Sequence, residues 1–109
     1  MKKKYKKIDV REAAERLYKE PAEMKNLIKE FLNDDILEKA EKAFAENNLE
    51  EARLEMHTIR GAATNIGLPG LGKLAFKIEK KIKEDEYLDF KLLKLMRKIW
   101  DELKDERGD

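Results

Sequence analysis

The run Leu49-Glu50-Glu51-Ala52-Arg53-Leu54-Glu55-Met56-His57-Thr58-Ile59-Arg60-Gly61-Ala62-Ala63-Thr64-Asn65-Ile66 decides the fold. Its apolar residues Leu49, Ala52, Met56, Ile59, Ala63 and Ile66 recur at alternating steps of three and four. That spacing lays one narrow seam along a helix, as expected of a helix packed against other helices, and it excludes the strict alternation of a strand. Asn47-Asn48 marks a turn before it, and Asn48 with Glu51 three residues on forms a relative of the capping box. Gly67 suits the C-terminal cap, where a left-handed backbone is needed.

Working towards the N-terminus, Met24, Leu27, Ile28, Phe31, Leu32, Ile36, Leu37, Ala40 and Phe44 trace an apolar stripe from Pro21 to about Glu46. Asn33-Asp34-Asp35 interrupts the helix formers, so the stripe is either one bent helix or two consecutive ones, and one bent helix is the favoured reading. A shorter helix opens at Ile8-Asp9-Val10, with Asp9 as its N-cap and Val10, Ala13, Ala14 and Leu17 at helical spacing. It should stop near Glu20, because the residue before Pro21 is pushed away from helical angles. Towards the C-terminus, Leu71, Leu74, Ala75, Ile78 and Ile82 share one face of a helix ending near Glu84. Pro69 and Gly70 sit in the link before it or in its first turn. Asp85-Glu86-Tyr87 is a turn, and Asp89 or a neighbour caps a last helix that buries Leu92, Leu93, Met96, Ile99, Trp100 and Leu103. Four long amphipathic helices on short turns predict an all-α, antiparallel up-down-up-down four-helix bundle with a short additional N-terminal helix across one end. The predicted organisation is a basic tail over 1–7, the bundle over 8–104, and a frayed C-terminus over 105–109.

Composition agrees with one domain. A chain of 109 residues can bury a single core and is too short for two. Only 5 glycines and 2 prolines interrupt it, and Lys, Glu and Leu outweigh the β-branched and aromatic residues that favour sheets. With 25 Lys+Arg against 24 Asp+Glu the net charge is +1, which argues against a nucleic-acid binder drawing on surplus cations. The run Lys2-Lys3-Lys4-Tyr5-Lys6-Lys7 reads as a solvated tail in preference to a basic arm for nucleic acid or anionic lipid. No apolar segment follows it, so neither a signal peptide nor a membrane span is expected, and no membrane partner. Absence of cysteine fits a reducing compartment. The expectation is a cytoplasmic, monomeric protein.

Most catalytic constellations are missing. Without cysteine there is no thiolate nucleophile, and one histidine offers no metal cluster at helical spacing. Gly70-Leu71-Gly72-Lys73 lacks the Ser or Thr and the preceding strand of a phosphate loop. What remains is His57. It follows Met56 of the seam by ~100° around the helix, which sets it at the edge of the core face. Arg53, Arg60, Gly61 and Thr64 share its face. Gly61 inside a helix costs ~1 kcal/mol against Ala. In return it bares the imidazole to an incoming protein. Arg60 places a fixed cation one turn away, suited to phosphoryl oxygens. A largely neutral imidazole can attack through nitrogen.

His57-Thr58-Ile59-Arg60-Gly61-Ala62-Ala63-Thr64-Asn65-Ile66-Gly67, followed by Leu71, resembles the signature of the histidine phosphotransfer (HPt) domain family. That signature reads His, any residue, Leu or Ile, Lys or Arg, Gly, a small residue, Ala, and a further Gly. The resemblance extends from about Ile8 to Leu103. It implies a phosphoryl carrier without kinase activity of its own. His57 Nε2 would take the group from a receiver-domain aspartate and pass it to another receiver. Arg60, where the family usually has Lys, would contact the phosphoryl group. Glu79 stands where some members, notably the HPt domain of the chemotaxis kinase, place a residue that bonds the imidazole Nδ1. The implied partners are response-regulator receiver domains, a hybrid histidine kinase, or both. The chain would carry no cofactor, with Mg²⁺ belonging to the receiver. Arg53, Gly61, Thr64, Lys73 and Phe76 are the expected docking residues, the cations among them steering an acidic receiver pocket. A phosphoacceptor domain of a larger kinase and a non-phosphorylated helical adaptor are the alternatives, with a stand-alone carrier favoured by the N-terminal Met1.

Overall fold

Helix α1 spans Val10–Arg16, and the expected cap forms: Asp9 Oδ1 accepts the Glu12 N–H at 3.2 Å. The computed structural model describes residues 5–106. α1 ends short of the expected Glu20 boundary. Tyr18 adopts φ 56°, and the N–H groups of Tyr18 and Lys19 turn back to Glu15 O at 3.3 Å and Ala14 O at 2.8 Å. This is a Schellman closure with tyrosine in the left-handed position. The turn lets Met24 of the next helix pack on Ala13 and Ala14, which local propensity alone does not encode.

The stripe over Pro21–Glu46 is two helices rather than one bent helix, α2 Pro21–Leu32 and α3 Ile36–Ala45. One side chain between them captures a backbone donor that a continuous helix would use, and another adds to a carbonyl already bonded within α2. Asn33 Nδ2 donates to Lys29 O at 2.9 Å, and Asp34 Oδ1 accepts the Ile36 N–H at 2.9 Å. Trp100 then seals the broken end, its indole N–H donating to Leu32 O at 2.8 Å. Phe31 lies against the same indole, with ring centroids 4.8 Å apart.

Helix α4 spans Leu49–Asn65, α5 Pro69–Asp85 and α6 Phe90–Glu106. Asn48 Oδ1 accepts the Glu51 N–H at 3.1 Å, and Asp89 Oδ1 accepts that of Leu92 at 3.0 Å, so both expected caps are present. Gly67, at φ 97°, ends α4. A Cβ there would lie 2.9 Å from Asp9 O, and the Asp9 N–H donates to Gly67 O at 2.7 Å. Glycine therefore both turns the chain and lets the start of α1 dock on the end of α4. Arg16 completes the junction by donating to Thr64 O and Asn65 O, two carbonyls left open at that terminus.

Pairings across the bundle run antiparallel. His57, Arg60 and Thr64 on α4 meet Glu79, Phe76 and Gly72 on α5 in that order. Leu32, Glu41 and Phe44 likewise meet Trp100, Arg97 and Phe90 on α6. The four members of the bundle are thus the broken α2–α3 pair, α4, α5 and α6. Ala52, Met56, Ile59 and Ala63 of the seam are fully buried among Leu71, Leu74, Ile78, Met96, Ile99 and Trp100.

The expected tail boundary moves. Tyr5 is buried in the main core, and Lys6 pairs with Glu106 at 2.8 Å and Glu102 at 3.5 Å, so residues 5 and 6 belong to the bundle rather than to a solvated arm. α6 runs through Glu106, past the expected start of fraying. The first four and last three residues of the expected termini lie outside the described residues.

Candidate functional site

Because Met56 and Ile59 point into the core, the intervening helical turn sends the His57 side chain outward, where 54% of it stays exposed. α5 crosses beside it because Gly72 permits close approach. A Cβ on Gly72 would overlap Thr64 Oγ1 and lie 3.4 Å from Arg60 O. That closeness brings Glu79, whose side chain is only 10% exposed, to His57: Nδ1 and Glu79 Oε2 are 3.0 Å apart. Nε2, the outer nitrogen, makes no hydrogen bond among the described residues.

Arg60 leans into the same group. Its Nη2 lies 3.0 Å from His57 Nδ1, and its Nε lies 3.1 Å from Glu79 Oε1. The second pair is close enough for an ion pair but the N–H is not aimed at the oxygen. Among the described residues neither atom has another hydrogen-bond partner. The guanidinium rests on the Phe76 ring, 5.3 Å from its centroid, an arrangement favourable for a cation. Phe76 is itself 48% exposed. Beside this cluster a shallow cleft of about 270 Å³ is lined by Arg60, Phe76, Glu79, Lys80, Lys83 and Glu84.

The structure therefore gathers His57, Arg60, Glu79 and Phe76 into one contact group. Gly61 lies next to it on α4, and a Cβ there would meet nothing within 4 Å. Among the described residues no packing requires a glycine at that position, which separates Gly61 from Gly67 and Gly72. Thr64 is exposed further along α4, against Gly72. Arg53 and Lys73 do not join the group: each is at least partly exposed and makes no hydrogen bond or ion pair among the described residues. Leu54, one turn before His57 and 49% exposed, escaped the reading of the sequence. Its signal was an apolar side chain off the Ala52–Met56 seam, on a face otherwise polar. Gly72 was also passed over, because its role depends on which helix lies across it.

Such a group can hold one imidazole nitrogen against a buried carboxylate while offering the other to solvent. A carboxylate accepting from Nδ1–H fixes the ring and leaves a lone pair on Nε2. Among the described residues no cluster of three or more His, Cys, Asp or Glu could hold a metal ion. No helix among them is long and apolar enough to cross a membrane.

Comparison with known families gives a match. The family model described as the Hpt domain matches residues 23–106. No curated protein and no solved structure matches the chain. The chain belongs to the Hpt domain family, whose members in general carry phosphoryl groups in two-component signalling, interact with receiver domains and kinases, and lack kinase activity.

Proposed function

We propose that this Hpt domain accepts a phosphoryl group on His57 Nε2 from the aspartyl phosphate of a receiver domain and yields it to a second receiver. The observation that carries the reading is the asymmetry of the imidazole: Nδ1 is 3.0 Å from the nearly buried Glu79 carboxylate, while Nε2 faces outward. In the forward step the Nε2 lone pair forms an N–P bond as the P–O bond to aspartate breaks, and the aspartate departs as a carboxylate. Nδ1 keeps its proton throughout. The ring gains positive charge as the bond forms, and Glu79 offsets it in surroundings drier than water, where a paired charge counts for more. Arg60 supplies the donors for the phosphoryl oxygens. The reverse sequence discharges the carrier. Mg²⁺ would sit with the receiver, and this chain would act as a monomer bringing only the nucleophile and its electrostatic setting.

Docking uses the surface around His57, Gly61 and Thr64, with exposed Leu54 and Phe76 as apolar contacts and Arg53 and Lys73 as steering charges. The experiment is transfer from receiver domains charged with acetyl phosphate, with His57→Gln in parallel. Acid-labile, alkali-stable label on the wild type and none on the variant is the expected outcome. No label from a panel of active receivers would reject the relay reading in favour of an adaptor. Label gained only from a kinase would assign the chain as that kinase's phosphoacceptor domain.

A further inference from the structure

Two groups approach the same atom of His57. Glu79 Oε2 and Arg60 Nη2 each lie 3.0 Å from Nδ1. In a neutral imidazole each ring nitrogen is either an N–H donor or a lone-pair acceptor. With the proton on Nδ1, the ring donates to Glu79 and faces Arg60 donor to donor. With Nδ1 bare, the ring accepts from Arg60 and faces the carboxylate lone pair to lone pair. In either neutral tautomer one of the two contacts is repulsive.

We propose that Arg60 and Glu79 compete for Nδ1, so that the position of Arg60 sets the tautomer of His57 and thereby whether Nε2 can attack. The inference deepens the reading of His57 as phosphoacceptor and rests on it. With Arg60 donating to Nδ1, the ring proton resides on Nε2 and that nitrogen has no lone pair to give. With Arg60 withdrawn, Nδ1–H donates to Glu79 and Nε2 becomes nucleophilic. The exchange needs no co-reactant: water takes the Nε2 proton and returns one to Nδ1.

Arg60 is held in a way that lets it move. Its Nε–Oε1 contact with Glu79 is unaligned, its side chain is 36% exposed, and the Phe76 face is an undirected support. An arriving phosphoryl group offers charged acceptor oxygens, to which guanidinium hydrogen bonds are stronger than to a neutral nitrogen. The donor's phosphoryl group would therefore draw Arg60 off Nδ1 as it docks and arm the nucleophile in the same movement. An undocked domain keeps a less reactive ring. Arg60 acts here as a positioning residue for the imidazole proton, in addition to its contact with phosphoryl oxygen.

The test is ¹⁵N NMR of the imidazole, read in the alkaline range where its nitrogen shifts no longer change with pH. Nitrogen shifts and two-bond couplings to the ring C–H protons report the tautomer ratio directly. Arg60→Met keeps an unbranched stem beside Phe76 and removes the donors. It should move the ratio towards Nδ1–H by roughly threefold or more, the effect of one hydrogen bond. Glu79→Leu should move it the opposite way. An unchanged ratio in Arg60→Met, or a shift towards Nε2–H, overturns the proposal. No receiver is present in this measurement, so its failure is separate from a failure of His57 to take up phosphate. Backbone amide spectra of both variants establish that the bundle is intact.

Discussion

Arg97 on α6 and Arg60 on α4 each meet a carboxylate from a neighbouring helix, and they are held in opposite ways. Arg97 directs its Nε and Nη2 into Glu41 at 3.0 and 2.7 Å, Nη2 also to Glu38 at 3.1 Å, and Nη1 to Asp101 at 3.1 Å. Its hydrogen bonds to Glu41, and then to Asp101 and Glu38, raise its pKa further against the opposing pull of burial. Arg60 faces one carboxylate with an unaligned Nε, and its Nη2 meets a histidine nitrogen that the same carboxylate also claims. With four of its five N–H donors engaged by carboxylates, Arg97 has little to offer a new partner and ties α3 to α6. An under-satisfied guanidinium is available to a ligand that brings its own acceptors. Both are arginines facing a carboxylate on a neighbouring helix, and the difference lies in how many of their donors are aimed at an acceptor.

The largest effect expected tests whether the open site stands on a closed seam. Gly72→Val should cost about 3 kcal/mol, since the added atoms must push α5 away from Thr64 and the Arg60 carbonyl. Urea unfolding measures it, and a cost below about 1 kcal/mol would mean that the α4–α5 contact is slack.

Next, Arg97→Met should lower stability by about 1–2 kcal/mol by undoing its charged hydrogen bonds, while the rate of phosphoryl transfer stays at the wild-type value. A slowed transfer would break the division between a structural and a functional arginine.

Gly61→Gln reads the other side of the comparison. Transfer should slow roughly tenfold, the equivalent of about 1.4 kcal/mol, as the new side chain covers the imidazole. Stability should rise by about 0.5–1 kcal/mol, because a glycine inside a helix gives way to a better helix former and, among the described residues, nothing lies within 4 Å of the added Cβ. An unchanged transfer rate would refute the access argument.

The smallest effect concerns a second well-satisfied charge, Asp89. Burial works to raise its carboxyl, but Lys81 at 2.6 Å and the Leu92 N–H at 3.0 Å outweigh it and hold the group below the ordinary carboxylate range. A lowered folded-state value contributes stability above the unfolded pKa, and that contribution is lost as pH falls through the folded value. Asp89→Asn keeps a capable N-cap without the charge. The variant should melt lower than wild type at neutral pH, and the gap should close on acidification. A gap independent of pH would assign the loss to the cap alone.

Much of this molecule is legible from residue types and spacing. The seam through Ala52, Met56, Ile59 and Ala63 specifies α4, and all four are fully buried as the spacing requires. Asp9, Asn48 and Asp89 cap where short polar side chains precede apolar periodicity. The neighbours of His57 on its own helix follow from 3.6 residues per turn. Glu79 was legible only through a resemblance, because its meeting with His57 depends on the register between two helices. The same limit explains Tyr5 in the core and the Trp100 indole on the open end of α2, since each depends on which distant residues pack together.

The sequence by itself determined the helices, the class of the fold and the identity of the one histidine fit to react. Periodicity, capping and residue chemistry act over a few residues and leave their marks in order along the chain. The tertiary structure alone decided which carboxylate reaches Nδ1, which glycine is packed and which is open, and which arginine is satisfied. Those are properties of donors, acceptors and volumes brought together from distant positions, and they exist only once the helices have docked.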